Sequence, residues 1–535
     1  MKRTQTNKVF KEVLDVDGQI TVEINGIEIK LPERSTLGDA IRVSGSPYQE
    51  GVSVGILKRS EMEQEENVVE YRIVTTSGEF IIDLFEKHSP SKEQWINRFR
   101  EYIDIPLRWI SRDAVAFGPF VSEMAPKREK GAYKEYELLF AAGGGDPQNT
   151  HLIITKARHS AEYGAPLEGA FGKVVSGKSV LDNLEKKDRI LEIKPVISWK
   201  QTGEHLLTTD LTIPLEDGEK VFTFLNVMLS AESPHGAEHF FAVIRSGTFK
   251  VDMVSSSFIS DHALLGELPV YENYEPRTRG TVFLRTVGYG AGKAFISTDD
   301  RTSSILHSVI GHVEQGMELV GMAEIGHRLL VHTTPPQIML HGKSFLEAEE
   351  ELAPYGVKLI REGDIADEAL IVSQEPDTTI EILREGSVKA TGVDDSKIVS
   401  IELYDNDAPM TLDFFRHAIG LQFRPVGIMP LIMMYENTYI FKAEKPAERY
   451  KEILPENTPK KMVVSGEIGV TNQAAKRMGM IGVKTKDDDL FGPTGEKFIS
   501  TNIIGRILDI QKLQNFKEGD KVYVIERNRG DTHEQ

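Results

Sequence analysis

From Glu79 to Phe99 the chain reads EFIIDLFEKHSPSKEQWINRF. A short apolar run with strand character ends in polar turn residues, and Pro90 opens a stretch with helical spacing. The pattern returns as KVFTFLNVMLSAESPHGAEHFFAVI around Pro234 and as KIVSIELYDNDAPMTLDFFRHAI around Pro409. Proline suits the first helical turn, where its missing N–H costs nothing. Six residues on stand Ile96, Phe240 and Phe415, each expected on the core-facing side of its helix.

A second pattern also occurs three times. GAFGKVVSGKSVLDNLEKKDRILEIKPVI begins at Gly169, IGHVEQGMELVGMAEIGHRLLVHTTPPQI at Ile310 and IIGRILDIQKLQNFKEGDKVYVIE at Ile503. Each predicts strand, short helix, strand. Gly172, Gly311 and Gly505 occupy one position, and the closing strands start at Arg189, Arg328 and Lys521. The stretches between the two patterns differ in length, which a repeat tolerates cheaply in its loops. One mixed unit therefore occurs at about 68–200, 215–340 and 396–527.

Two segments remain. In 18–45, alternating apolar residues flank Asn25-Gly26, a strong hairpin signal, and Ser35-Thr36-Leu37-Gly38-Asp39 starts a helix. Residues 341–395 predict one amphipathic helix followed by short strands. The expected domains are 1–66, repeats at 67–205 and 206–340, an insert at 341–395, and a third repeat at 396–535.

Composition narrows the function. The 535 residues carry 63 basic and 82 acidic side chains, a net charge of −19, which argues against nucleic acid as a partner. There is no cysteine, so neither a disulfide nor thiolate ligation of zinc or an iron–sulfur cluster is available. No apolar h-region follows Met1-Lys2-Arg3 and no membrane-length apolar run exists, so a cytoplasmic location is expected.

Three further motifs read as structural. His235-Gly236-Ala237-Glu238-His239 has the spacing of a zinc-peptidase helix, but it is the opening turn of a repeated helix. Gly288-Tyr289-Gly290-Ala291-Gly292-Lys293 has the wrong spacing for a phosphate loop and is followed by Ala294. Neither a metal nor a nucleotide site is expected. Pro425–Tyr435, PVGIMPLIMMY, reads as a core strand, with a methionine-rich partner surface as the alternative.

The repeats resemble cyclophilins through Ile401–Phe415, Gly143–Ile154 and Phe171–Leu181. The resemblance implies closed eight-stranded antiparallel barrels capped by two helices. Val372-Ser373-Gln374-Glu375-Pro376 resembles a PASTA domain, and the N-terminal segment resembles the β-grasp group of ubiquitin-like carriers and ferredoxins. It has neither the carriers' Gly-Gly tail nor the ferredoxin cysteines. The implied class is multidomain α+β: a β-grasp-like domain, then three cyclophilin-like barrels with a PASTA-like insert between the second and third.

Cyclophilins use an arginine beside an apolar pocket with aromatic residues and a histidine. On that pattern the second repeat keeps Phe258, Phe295 and His307, with Ser260 in the arginine's place. The first offers Arg112, with Ile153 and Glu168 at the pocket positions, and the third offers Met480 and Thr501. No repeat carries the full set, so Phe258, Phe295, His307 and Arg112 form a vestigial proline-binding pocket and catalysis is not expected. Active prolyl isomerisation or chaperoning is the alternative.

The domain order is similar to that of the methanogenesis marker protein 3 family, through RSTLGDAI, GGGDPQNTHLIITK, GAFGKVV and the terminal KVYVIERN. That resemblance implies a scaffold for assembly or ATP-dependent reductive activation of methyl-coenzyme M reductase. Implied partners are that enzyme, other marker proteins and an ATPase. No cofactor is expected on this chain: iron–sulfur clusters, the nickel cofactor and ATP would sit on partners.

Overall fold

The structure is a computed structural model that describes residues 18–58, 66–85, 87–199, 205–444 and 450–527. Met1-Lys2-Arg3 and the last residue of the KVYVIERN motif lie outside them. The chain packs as two compact units, 1–236 with 243–334 and 237–242 with 335–535.

In the first unit, Gln19–Ile24 and Ile27–Pro32 form the predicted hairpin, with Ile24 opposite Ile27. Asn25 and Gly26 both take positive φ, as a two-residue turn of matching twist requires. The helix Leu37–Ser44 starts in a capping box between Thr36 and Asp39. Lys220–Phe222 then runs parallel to Gln19–Ile24, Val54–Leu57 pairs antiparallel to it, and His205–Thr208 forms the far edge. The boundary drawn at 66 thus leaves two strands of this sheet outside it. The chain departs after Leu57, builds a separate eight-stranded sheet and returns at His205 to finish the first one. Short strands from distant sequence are invisible to local periodicity, and that is why the boundary differs.

The second repeat shows the common wall. Its strands lie in the order Thr248–Lys250, Arg328–Thr334, Leu225–Leu229, His307–Gln315, Thr281–Arg285, Ala294–Ser297, Phe258–Asp261, Met253–Ser255. In the third repeat, within the second unit, the equivalent strands close into a barrel. Among the described residues it has seven strands, where eight were expected. Val426–Tyr435 is continuous there, pairing with Lys521–Glu526 through its first half and with Thr438–Phe441 through its second. The first repeat adds Glu66–Thr75 between Gly78–Leu84 and Ile190–Trp199. Its two ends meet through Leu107 N–H donating to the Asp188 carbonyl at 2.8 Å.

The aligned glycines explain the repeat. Gly172 pairs with Leu84, Gly311 with Leu229 and Gly505 with Leu403. In every copy a Cβ on the glycine would press on a carbonyl oxygen of the facing strand, that of Asp83, Met228 or Glu402. The next residue then bonds back across the pair: Phe85 N to Phe171 O, Ser230 N to Ile310 O and Tyr404 N to Ile504 O, at 2.8–3.0 Å.

Phe240 and Phe415 are buried as expected, but Ile96 is 42% exposed. Trp95 takes the core place, ringed by Tyr71, Tyr102 and Phe171 with centroids within 5.9 Å. The insert places Lys358–Gly363, Ser387–Val393 and Leu370–Glu375 side by side. It has two helices, Phe345–Leu352 and Thr379–Glu385; the second, capped by Thr378, was not predicted because only seven residues carry it.

Trp95→Ala is expected to destabilise the first barrel by about 3–5 kcal/mol. Ile96→Ala is expected to cost less than about 0.5 kcal/mol, typical of a surface change. Denaturant midpoints for the first barrel's transition check both.

Candidate functional site

The outer wall of the second barrel carries the site. Strands alternate faces, so Phe283 lies on the side opposite Val282 and Leu284. Phe283 pairs directly with Phe295, and their rings stack with centroids 4.9 Å apart and planes 5° from parallel. Phe258 meets Phe295 edge-on at 5.2 Å, and Val309 completes the cluster. His307 stands edge-on to Phe283 and Phe295 at 5.1 and 5.8 Å. Phe258, Phe295 and His307 are therefore brought together.

Arg112 is not with them. It sits exposed in the turn between Leu107–Ile110 and Ala114–Phe120 of the first barrel, a turn closed by Ser111 Oγ bonding Ala114. Ser260, at the position the resemblance gives to arginine, is fully buried and its Oγ lies 3.0 Å from His262 Nε2. Beside it, a cavity of about 470 Å³ is lined by Lys250, Asp252, Asp261 and His262, among others. Burial pushes the Asp261 carboxyl up to about 6. Its oxygens accept from the Lys250 and Ala263 backbone N–H groups, so it ties that end of the strand together.

An arginine nevertheless reaches the aromatic cluster, from another segment. Arg277 lies over Phe283, 5.2 Å from the ring centroid. Its Nε and Nη2 both donate to the Thr302 carbonyl, at 3.1 and 3.0 Å. Its Nη1 donates to His307 Nδ1 at 3.2 Å. That bond makes Nδ1 the acceptor and leaves the proton of the neutral ring on Nε2. Burial, with Arg277 and Arg285 nearby, drives the His307 pKa down to about 3. Burial and Arg301 lower Arg277 to about 10, so it stays cationic at neutral pH.

The first barrel holds this arrangement from behind. Thr302, which anchors Arg277 through its carbonyl, bonds Ser176 of the first barrel through its hydroxyl at 2.7 Å. Next to it Arg301 pairs with Glu70 at 2.8 Å, both side chains 13% exposed.

Arg277, Arg285 and Phe283 were missed from sequence. Arg277 lies in YEPRTRGT, a loop with no periodicity, and Arg285 is set by register, directly opposite His307. The first repeat gathers a different set, Trp109, Tyr133, Tyr163 and His159, with His159 Nε2 2.6 Å from the Tyr163 hydroxyl. Ile153 is buried in a second apolar layer with Tyr133 and Ala165, and Glu168 accepts from Ser91 Oγ at 2.9 Å. Thr501 is buried against Thr494.

His235 Nδ1 lies 2.9 Å from Glu272, whereas Glu238 accepts from Thr379 N and Gln337 Nε2 at 2.7 and 3.0 Å. Gly292 has φ +87°, and a Cβ there would collide with the Leu264 carbonyl oxygen. Of the methionine strand, Met429 is buried and Met433 exposed. No described helix is long and apolar enough to cross a membrane.

Residues 399–527 match a family model described as "Putative peptidyl-prolyl cis-trans isomerase domain". A UPF0288 protein of Methanosarcina barkeri is 52% identical, over 95% of this chain and 98% of its own. Those of Methanothermobacter thermautotrophicus and Methanopyrus kandleri are 39% and 30% identical, over 96% and 94% of this chain and 99% of theirs. Among solved structures, a cyclophilin type peptidyl-prolyl cis-trans isomerase of Cryptosporidium parvum, crystallised in the presence of the dipeptide ala-pro, is 19% identical. It covers 24% of this chain and 98% of its own, with a TM-score of 0.20.

Two outcomes are expected. The His307 ring stays neutral and Nε2-protonated at pH 5, where a free histidine is mostly charged, as read from imidazole 15N shifts. Its folded pKa lies below the unfolded value near 6.5, so its stability contribution is complete above that pH and is lost as pH falls towards 3. Gly292→Ala should destabilise the second barrel by more than about 1 kcal/mol, measured by denaturation.

Proposed function

We propose a function from one premise: the chain belongs to the UPF0288 family of methanogens. Within it the chain acts as a non-catalytic binding scaffold, and we identify it with the methanogenesis marker protein 3 group. Its client is methyl-coenzyme M reductase, in assembly or ATP-dependent reductive activation. Other marker proteins and an ATPase are its companions in the methanogen cytoplasm, and they carry the clusters, nickel cofactor and nucleotide. We read the first sheet as a β-grasp domain split by the first barrel, and the insert as PASTA-like.

One observation carries the binding role. The second barrel sets a cluster of phenylalanines beside an arginine that is tied to Thr302 and His307. A guanidinium fixed by three bonds on its own protein suits static recognition. Domains linked on one chain also raise each other's effective concentration at a client.

The same arginine favours a second reading, prolyl isomerisation, because it supplies the cation that Ser260 does not. The two readings separate in one pair of experiments. Anaerobic affinity purification of the tagged chain from methanogen cells is expected to recover reductase subunits, marker proteins and an ATPase in fixed ratio. A proline-peptide isomerisation assay is expected to show no rate above background. Recovery of the chain alone, together with a rate abolished by Arg277→Ala, would replace the scaffold with an isomerase.

A further inference from the structure

In every copy a glutamate from a later loop holds the start of the proline-led helix. Glu168 accepts from Ser91 Oγ at 2.9 Å, Glu272 from the Gly236 N–H at 2.8 Å and Glu456 from the Thr411 N–H at 2.8 Å. Trp95 takes the core place that Phe240 and Phe415 hold, so the first helix is displaced by one position. Glu93, Gln94 and Asn97 then stand where the third repeat has Asp413, Phe414 and His417. The second repeat has Glu238 and His239 at the first two of those places.

In two copies the chain covers this helix face itself. Tyr450 lies on Phe414 and His417, with ring centroids 5.3 and 5.8 Å away, and its hydroxyl donates to Asp413. Glu238 accepts from the Thr379 N–H of the insert at 2.7 Å. Phe414 and His239 are both buried. The acid at the leading position thus takes a donor from the covering segment in each case.

The first copy leaves the face open. A cavity of about 520 Å³ runs along it, lined by Ser91, Gln94 and Asn97 of the helix and by Met124, Pro166 and Leu167. That size falls within the roughly 300–1,000 Å³ of ligand sites. Leu167 is 79% exposed. Asn97 is exposed too, and its amide bonds no other described residue. Gln94 gives Nε2 to the Tyr102 hydroxyl at 3.1 Å, which leaves its side-chain oxygen as an acceptor. Glu93, Glu123 and Glu168 rim the cavity, and the cation in its lining, Arg98, is taken by Glu101 at 2.7 Å.

The third copy shows what suits the place. There a tyrosine followed by Lys451 sets its ring against the helix and its hydroxyl on an acid. Glu93 supplies the acid in the first barrel, and the acidic rim selects a basic neighbour.

We propose that this groove of the first barrel binds a segment of a partner protein that presents a tyrosine beside a lysine or arginine. The ring lies along Gln94 and Asn97, the hydroxyl donates to Glu93, and the basic side chain meets the acidic rim. The assignment rests on the scaffold reading for its partner, and it adds a recognition surface apart from the phenylalanine cluster of the second barrel.

The test uses the full chain and fluorescein-labelled Ala-Arg-Tyr-Lys-Ala-Leu, followed by fluorescence polarisation. Companion peptides carry alanine or phenylalanine for the tyrosine, or glutamate for both basic residues. The tyrosine peptide is expected to bind about tenfold more tightly than the alanine and glutamate peptides, with phenylalanine between. Glu93→Gln should bring the tyrosine peptide down to the phenylalanine level, and Asn97→Trp, at an exposed position, should block the groove. The tyrosine–alanine contrast on the unmodified chain needs no variant to fold. Equal binding of the tyrosine and alanine peptides, binding that survives Asn97→Trp, or no binding at all overturns the assignment. Failure of the scaffold shows instead in co-purification, which these peptides do not touch. In sedimentation the chain alone is expected to be a monomer. A dimer that Asn97→Trp disperses would make the occupant a second copy and overturn the partner assignment.

Discussion

Each barrel depends on one close approach, between a glycine and a leucine on neighbouring strands. Gly172 with Leu84, Gly311 with Leu229 and Gly505 with Leu403 let the backbones come nearer than any side chain allows. The leucine is the last regular residue before the turn into the proline-led helix. The glycine opens the path to the closing strand. One contact thus ties the start of each unit to its end, and the wall order follows from it. It also fixes which residues face outward, and so where Phe283, Phe295 and His307 stand.

That dependence explains what was legible in the sequence. The repeated glycine, the proline-led helices and the closing strands stand in register with constraints that admit few residues, so the triplicated unit could be read directly. The hairpin at Asn25-Gly26 and the capping pair Thr36 and Asp39 were equally plain, because their chemistry is local. What escaped depends on distant pairing. Strands of three or four residues at His205–Thr208 and Lys220–Phe222 have no period of their own and join a sheet begun nearly two hundred residues earlier. Trp95 displaced Ile96 because the helix turned by one position towards the rings of Tyr71 and Phe171.

The site was half legible for the same reason. Phe258, Phe295 and His307 lie on regular strands, and the resemblance to cyclophilins found them. Arg277 lies in a loop, and its role depends on the Thr302 carbonyl, which is held in turn against Ser176. Arg112 belongs to a hairpin tip in another barrel. The cluster is therefore a product of two barrels: the first braces the segment from Asp300 to Thr302, and the second supplies rings, imidazole and guanidinium. An arginine thus reaches the rings from a different place in the chain than the one the resemblance gave, which residue-by-residue comparison cannot reveal.

The account turns on the claim that clients are held at the outer wall of the second barrel. Phe258 stands at the edge of that cluster and can be replaced by the photocrosslinking residue benzoylphenylalanine in the full chain expressed in a methanogen. Irradiation is predicted to give a covalent adduct with a methyl-coenzyme M reductase subunit from position 258, and none when the same residue replaces Arg112. No adduct from position 258, or the same adduct from both positions, would contradict the account.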